Sequence, residues 1–114
     1  MTSEEISFND WSKIDLRVGK VLEVENIENA DKLYKFTVDL GKDIGKKTIC
    51  SGMKEHYSKE ELKGKKVIVF INLQPRKFRG VLSEGMILAA CTEDESKVIL
   101  ITPEKDIEVG NRAY

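Results

Sequence analysis

Tyr34, Phe36, Val38 and Leu40 alternate with Lys35, Thr37 and Asp39, a spacing that would scatter apolar groups around a helix. In an extended chain the same period of two gives one apolar and one polar face, so residues 34–40 are expected to form a half-buried strand. The preceding segment follows the same rule. Leu16, Val18, Leu22 and Val24 share one parity, with Arg17, Gly19, Glu23 and Glu25 on the other. Gly19 inside so long a strand predicts a bulge or sharp bend. Asn26 to Asp31 supplies the turn between these two strands, Gly41 to Gly45 supplies the next, and Thr48 to Cys50 makes a short third strand.

A helical signal then interrupts. Ser58 and Glu61 form an S-x-x-E capping box that opens a short helix, and Gly64 ends it. Three apolar runs come next: Val67 to Ile71, Met86 to Cys91, and Val98 to Ile101, followed by Pro103 and an acidic tail. Before the first strand, Ser7 to Lys13 reads as one helical turn with Ser7 as N-cap. There Phe8 and Trp11 share a face and are expected to plug the end of the core, with base stacking as the alternative for Trp11. Three strands, a short helix and further strands give the order of an all-β OB-fold, a five-stranded barrel with its helix between strands three and four. Continuous apolar runs in strands four and five suit a small closed barrel. Residues 92–114 exceed that barrel; they cap it or form a partner surface, and the tetrad Val98 to Ile101 predicts a dimer. No linker, repeat or low-complexity tract divides the chain, so residues 1–114 are expected to form one domain.

Composition narrows the function. The 114 residues suffice for a core without metal or disulfide support. No apolar run approaches the roughly 18 residues of a membrane span, and the acidic start Met1 to Glu5 suits neither a signal peptide nor a mitochondrial targeting sequence. A cytoplasmic protein is expected. Cys50 and Cys91 lack C-x-x-C spacing and read as ordinary buried small residues. His56 is the single histidine, so a zinc site or a Ser-His or Cys-His pair would rest on it alone. With no Gly-rich phosphate loop and no Ser-His-acid order, neither an enzyme nor a cofactor is expected.

The formal charge of −1 hides an asymmetry. From Lys42 to Arg79 eleven Lys and Arg face four Asp and Glu, whereas the remainder holds eight against sixteen. A chain with a basic middle can present one positive face, and local potential governs counterion release on polyanions. Within that middle, Asn72-Leu73-Gln74-Pro75-Arg76-Lys77-Phe78-Arg79-Gly80 sets three cations and an aromatic on a Pro-braced turn after a strand. The pattern suits an anion-binding edge, with Arg meeting phosphate in bidentate fashion and Lys as a point charge. A solvated turn after a core strand is the plainer alternative.

Taken in order, these segments resemble a known family. Leu16-Arg17-Val18-Gly19-Lys20-Val21, Ala30-Asp31-Lys32-Leu33-Tyr34, Ser51-Gly52-Met53, Tyr57-Ser58 through Glu61-Leu62, and Gly64-Lys65 come first. The Asn72 to Gly80 segment, Ser83, Gly85-Met86 and Thr102-Pro103-Glu104 follow. The set is similar to the structure-specific tRNA-binding domain, which occurs free-standing, as an appendage or small beta subunit of methionyl-tRNA synthetases, and in synthetase-associated cytokine-like factors. The resemblance runs from about Ser7 to Tyr114. It implies a homodimer of OB-folds that binds the folded L-shape of tRNA near its outer corner without reading an anticodon. It also implies a possible aminoacyl-tRNA synthetase partner, and places Asn72, Lys77, Arg79, Ser83 and Ser51 beside the RNA. Arg76 and Lys32 join this candidate set, Lys32 because the hairpin of strands one and two often meets OB-fold ligands, with Lys35 beside it. The family's usual Met between Lys and Arg is Phe78 here, filling the same apolar slot or adding a stacking surface.

In this reading Lys77 and Arg79 alternate along a strand or its exit, project to one side and follow successive phosphates. Asn72 and Ser83 bond ribose 2′-OH or a base edge, or else stabilise their own turns. Arg17 is expected to pair with an acid such as Asp39, with RNA contact as the alternative. The chain starts almost directly before its first helical turn, which favours a free-standing polypeptide. The competing reading is a peptide-binding, secretion-chaperone-like dimer of the same fold, which should expose an apolar groove.

Overall fold

A computed structural model describes residues 3–114. Its organising element is β1 (Leu16–Ile27), a 12-residue strand that changes partners along its length. Leu16 to Lys20 pair antiparallel with β4 (Lys66–Phe70), and Lys20 to Ile27 pair with β2 (Ala30–Asp39). β3 (Lys46–Ser51) adds to β2, and β7 (Met86–Ile87) adds to β4, giving the path β3-β2-β1-β4-β7. The helix α2 (Lys59–Leu62) falls between β3 and β4, as the OB-fold order requires. The remaining strands are two hairpins, β5 (Arg76–Phe78) with β6 (Val81–Ser83) and β8 (Ala89–Cys91) with β9 (Val98–Leu100), and a short β10 (Arg112–Ala113) on β1. The result is an all-β, OB-like fold.

The alternating positions of β2 behave as the period predicts: Tyr34, Phe36, Val38 and Leu40 are buried beside Val21, Ile49, Val67 and Val69. Three consecutive residues of β4, Val67 to Val69, are buried, so both faces of that strand are covered. α2 is held by its reciprocal box, in which Ser58 Oγ accepts from Glu61 N–H and Glu61 Oε1 accepts from Ser58 N–H. Its Leu62 is fully buried in the core, and Gly64, at φ +88, turns the chain so that its N–H donates to Val21 O.

Several expectations change. The register shifts in β1 lie between Val21 and Glu23 and between Asn26 and Ile27, not at Gly19. Gly19 is required for space: a Cβ there would stand 2.5 Å from Val38 Cγ1 and 3.0 Å from Leu40 Cδ2. α1 (Phe8–Ser12) is capped by Ser7 Oγ as predicted, yet it plugs nothing, for Phe8 is 81% exposed and Trp11 36%. Met86 to Cys91 is two strands rather than one. The break falls at Leu88, whose N–H donates to Ile68 O, and Cys91 beyond it is exposed rather than buried. Of the tetrad, Val98 and Leu100 close the core while Ile99 and Ile101 face outward. The C-terminal segment returns to β1, with Gly110 N–H donating to Val18 O and Val18 N–H to Asn111 O.

Candidate nucleic-acid interface

The cationic segment folds into the β5–β6 hairpin, with Arg76 opposite Ser83, Lys77 opposite Leu82 and Phe78 opposite Val81. Its two-residue turn is Arg79-Gly80, both with positive φ (51° and 84°), the geometry of a type I′ turn that matches strand twist. Strand alternation therefore ends at Phe78. Lys77 is a strand residue and Arg79 sits at the strand's exit, in the hairpin tip. The tip reaches the β1–β2 turn, where Arg79 lines a shallow groove with Lys32, Asp31 and Asn29. The Ser51-Gly52 turn is beside it, since Lys54 N–H donates to Lys32 O and a Cβ on Gly52 would approach that same oxygen. Lys32, Arg79 and the end of β3 are thus brought together from segments far apart in sequence.

The other face of the hairpin packs inward. Phe78 is half-buried against Ile27, Ala30 and Cys50, together with Leu33 and Val81. The Arg76 guanidinium lies 5.1 Å from its ring centroid, within cation–π range. Ser83 is buried, accepts from Cys50 N–H at 2.9 Å and donates to Gly85 O at 3.1 Å. Glu84 adds a backbone bond to Thr48 O and takes Thr48 N–H on its carboxylate. The hairpin is thereby latched to β3.

Asn72 stands apart from these cations. Its Oδ1 accepts from Asp15 N–H and its Nδ2 donates to Lys13 O, tying the exit of β4 to the approach to β1 instead of to its own turn. Arg17 pairs with Asp15, not Asp39, through Nε–Oδ1 at 2.6 Å, and also donates to Gly110 O. The hydrogen bonds from Arg17 hold the Asp15 carboxyl below its ordinary value, helped by the charge of Arg112.

Among the described residues, Lys32, Arg76, Lys77 and Arg79 take part in no ion pair. Lys35, by contrast, meets Glu25. A second basic groove, undetected in the sequence, is lined by Lys20, Lys65, Lys66 and Lys105, but Glu104 and Asp106 line it too and Lys66 is bound to Asp106. A third groove beside the hairpin is lined by Leu73, Gln74, Arg76, Phe78, Met86 and Cys50, with no carboxylate. Burial pushes the Cys50 thiol up, offset in part by Lys35. No group of three or more His, Cys, Asp or Glu placed to hold a metal occurs among the described residues, and no helix there is long and apolar enough to cross a membrane.

An OB-like fold with an unpaired cationic hairpin on its surface defines a nucleic-acid-binding domain. More specifically, residues 16–112 match the model of the family described as "Putative tRNA binding domain", and the chain belongs to that family. It is 53% identical over 109 residues to the methionine–tRNA ligase of Methanocaldococcus jannaschii, covering 96% of this chain and 16% of the ligase. With the ligase of Pyrococcus horikoshii it shares 49% over 107 residues, 94% of this chain and 14% of that protein. The chain therefore spans about one-seventh of these ligases. Among solved structures, a MetRS related protein from Pyrococcus horikoshii superposes with a TM-score of 0.90 at 39% identity, covering 98% of this chain and all of that one. The CsaA chaperone protein from Picrophilus torridus gives 0.87 at 37%, covering 96% and 100%.

Proposed function

We propose that this domain binds folded tRNA by shape, with little dependence on sequence, and carries no catalytic step of its own. The supporting observation is the set of four cations without acidic partners, Lys32, Arg76, Lys77 and Arg79, held around one latched hairpin. Lys77 and Arg79 meet backbone phosphates, and Lys32 with Ser51 extends that track across the β1–β2 turn. Asn72 ties the exit of β4 to the approach to β1, and Ser83 latches the hairpin to β3, each through bonds made within the protein. Residues 1–114 work as one unit in the cytoplasm, either alone or as an accessory that delivers tRNA to an aminoacyl-tRNA synthetase. The likeness to methionine–tRNA ligases supports a synthetase that charges methionine. Outward-facing Ile99 and Ile101 support a homodimer.

Replacing Lys77 and Arg79 together by alanine should weaken tRNA binding by a few kcal/mol at most, with each charged contact contributing roughly 1–3 kcal/mol. The slope of log affinity against log salt should fall by about 1–2. Titration of intact tRNA at several salt concentrations, with an equally long single strand as competitor, reads both effects. Unchanged affinity and slope would move the site off the hairpin. Binding that ignores salt and favours apolar peptides would instead support the chaperone-like reading, for which the CsaA likeness and the carboxylate-free groove speak.

A further inference from the structure

The groove between the exit of β4 and the β5–β6 hairpin differs from the molecule's other grooves in its chemistry. Its floor is apolar, made by Leu73, Phe78 and Met86, and about 340 Å³ of space lies above it, within the range of small-ligand sites. Met86 is 48% exposed although it is a strand residue, so its side chain is available to a ligand. At the rim stand Gln74 and Arg76, whose side chains make no hydrogen bond among the described residues. Arg76 also sets its guanidinium carbon over the Phe78 ring, 5.1 Å from the centroid, so an aromatic and a cationic group adjoin there. No carboxylate lines the groove, whereas the groove at Lys32 contains Asp31 and the one at Lys20 contains Glu104 and Asp106.

We propose that this groove receives a single unstacked nucleobase of the bound RNA, with Phe78 and Arg76 as the stacking platform and Gln74 bonding the base edge. A flat ring with a polar edge and an attached phosphate matches an apolar floor, an amide rim and adjoining cations. An aliphatic side chain would leave both Gln74 and Arg76 unused. Stacking on an aromatic or a guanidinium plane tolerates any base, which suits a reader of shape. The inference rests on the hairpin being the RNA-binding edge, as proposed above.

The test uses the intact chain. In methyl and aromatic NMR spectra, adenosine 5′-monophosphate should shift the Met86 methyl and Phe78 ring signals, while ribose 5-phosphate should leave them in place. Phe78→Leu should lower tRNA affinity by about fivefold or more, the low end of what one stacked base contributes, with an unchanged salt slope. Phe78→Tyr should restore binding. Equal shifts from both small phosphates, or wild-type affinity in Phe78→Leu while the Lys77/Arg79 double variant is weakened, would overturn the base site and leave the hairpin reading standing. A leucine-rich peptide shifting these signals where the nucleotide does not would assign the groove to peptides and overturn it too. If the double variant also binds normally, the hairpin reading itself fails.

Discussion

Arg79 occupies a left-handed backbone position that glycine would fill with less strain. An arginine at the first position of a two-residue turn is a local conflict, and conflicts of this sort gather at functional sites. Arg79→Gly should therefore leave stability unchanged or raise it by up to about 1 kcal/mol, and still weaken tRNA binding. Urea unfolding read beside a tRNA titration would expose the split; a variant that both unfolds early and binds well would refute it. At this scale the sequence was legible where partners are near. The caps at Ser7 and Ser58 follow from neighbours three residues away. Asp15 as the partner of Arg17 was also accessible, because residues two apart on an extended chain share a side. The bonds of Asn72 to Lys13 and Asp15 were not: they span 57 to 59 residues and depend on how β1 and β4 align.

The hairpin is a surface element fixed by few bonds, and Ser83 carries the buried one. Ser83→Ala leaves Cys50 N–H without its acceptor inside the protein, at a cost of about 1–3 kcal/mol. Amide hydrogen exchange should quicken at Cys50 and through β5–β6 while the core strands keep their protection. Uniform loss of protection would mean that Ser83 supports the whole fold rather than the hairpin. Strands β1 to β4 and the helix before β4 were readable from periodicity and the capping box, whereas the β5–β6 hairpin and β10 were not. Nor were strand ends. Nothing in Met86 to Cys91 marks the break at Leu88, which exists because β7 and β8 answer to different partners. Gly19 was noticed for a sound reason and assigned the wrong one: its missing side chain admits Val38 and Leu40, a demand set by another strand.

Across the molecule, the exposed apolar side chains are Ile99 within β9 and Ile101 just after it, where Val98 and Leu100 close the core. If they form the proposed dimer contact, sedimentation should show a dimer for the natural chain and a monomer of unchanged fold for Ile99→Lys. A natural chain that sediments as a monomer at all concentrations would remove the dimer. The candidate groove was invisible in the sequence because its walls come from β3, the β4 exit and the hairpin, segments that only the topology assembles.

β1 also fixes a polarity for the whole domain. Near Leu16 the chain ends converge, since β10 pairs there and the Arg112 guanidinium donates to Ser12 O and Ile14 O. Near Ile27, the opposite end, lies the arginine tip of the hairpin. Twelve extended residues separate the two by at most roughly 35 Å. The strand thus acts as a spacer, with the β1–β10 closure at one end and the cationic tip held at the other.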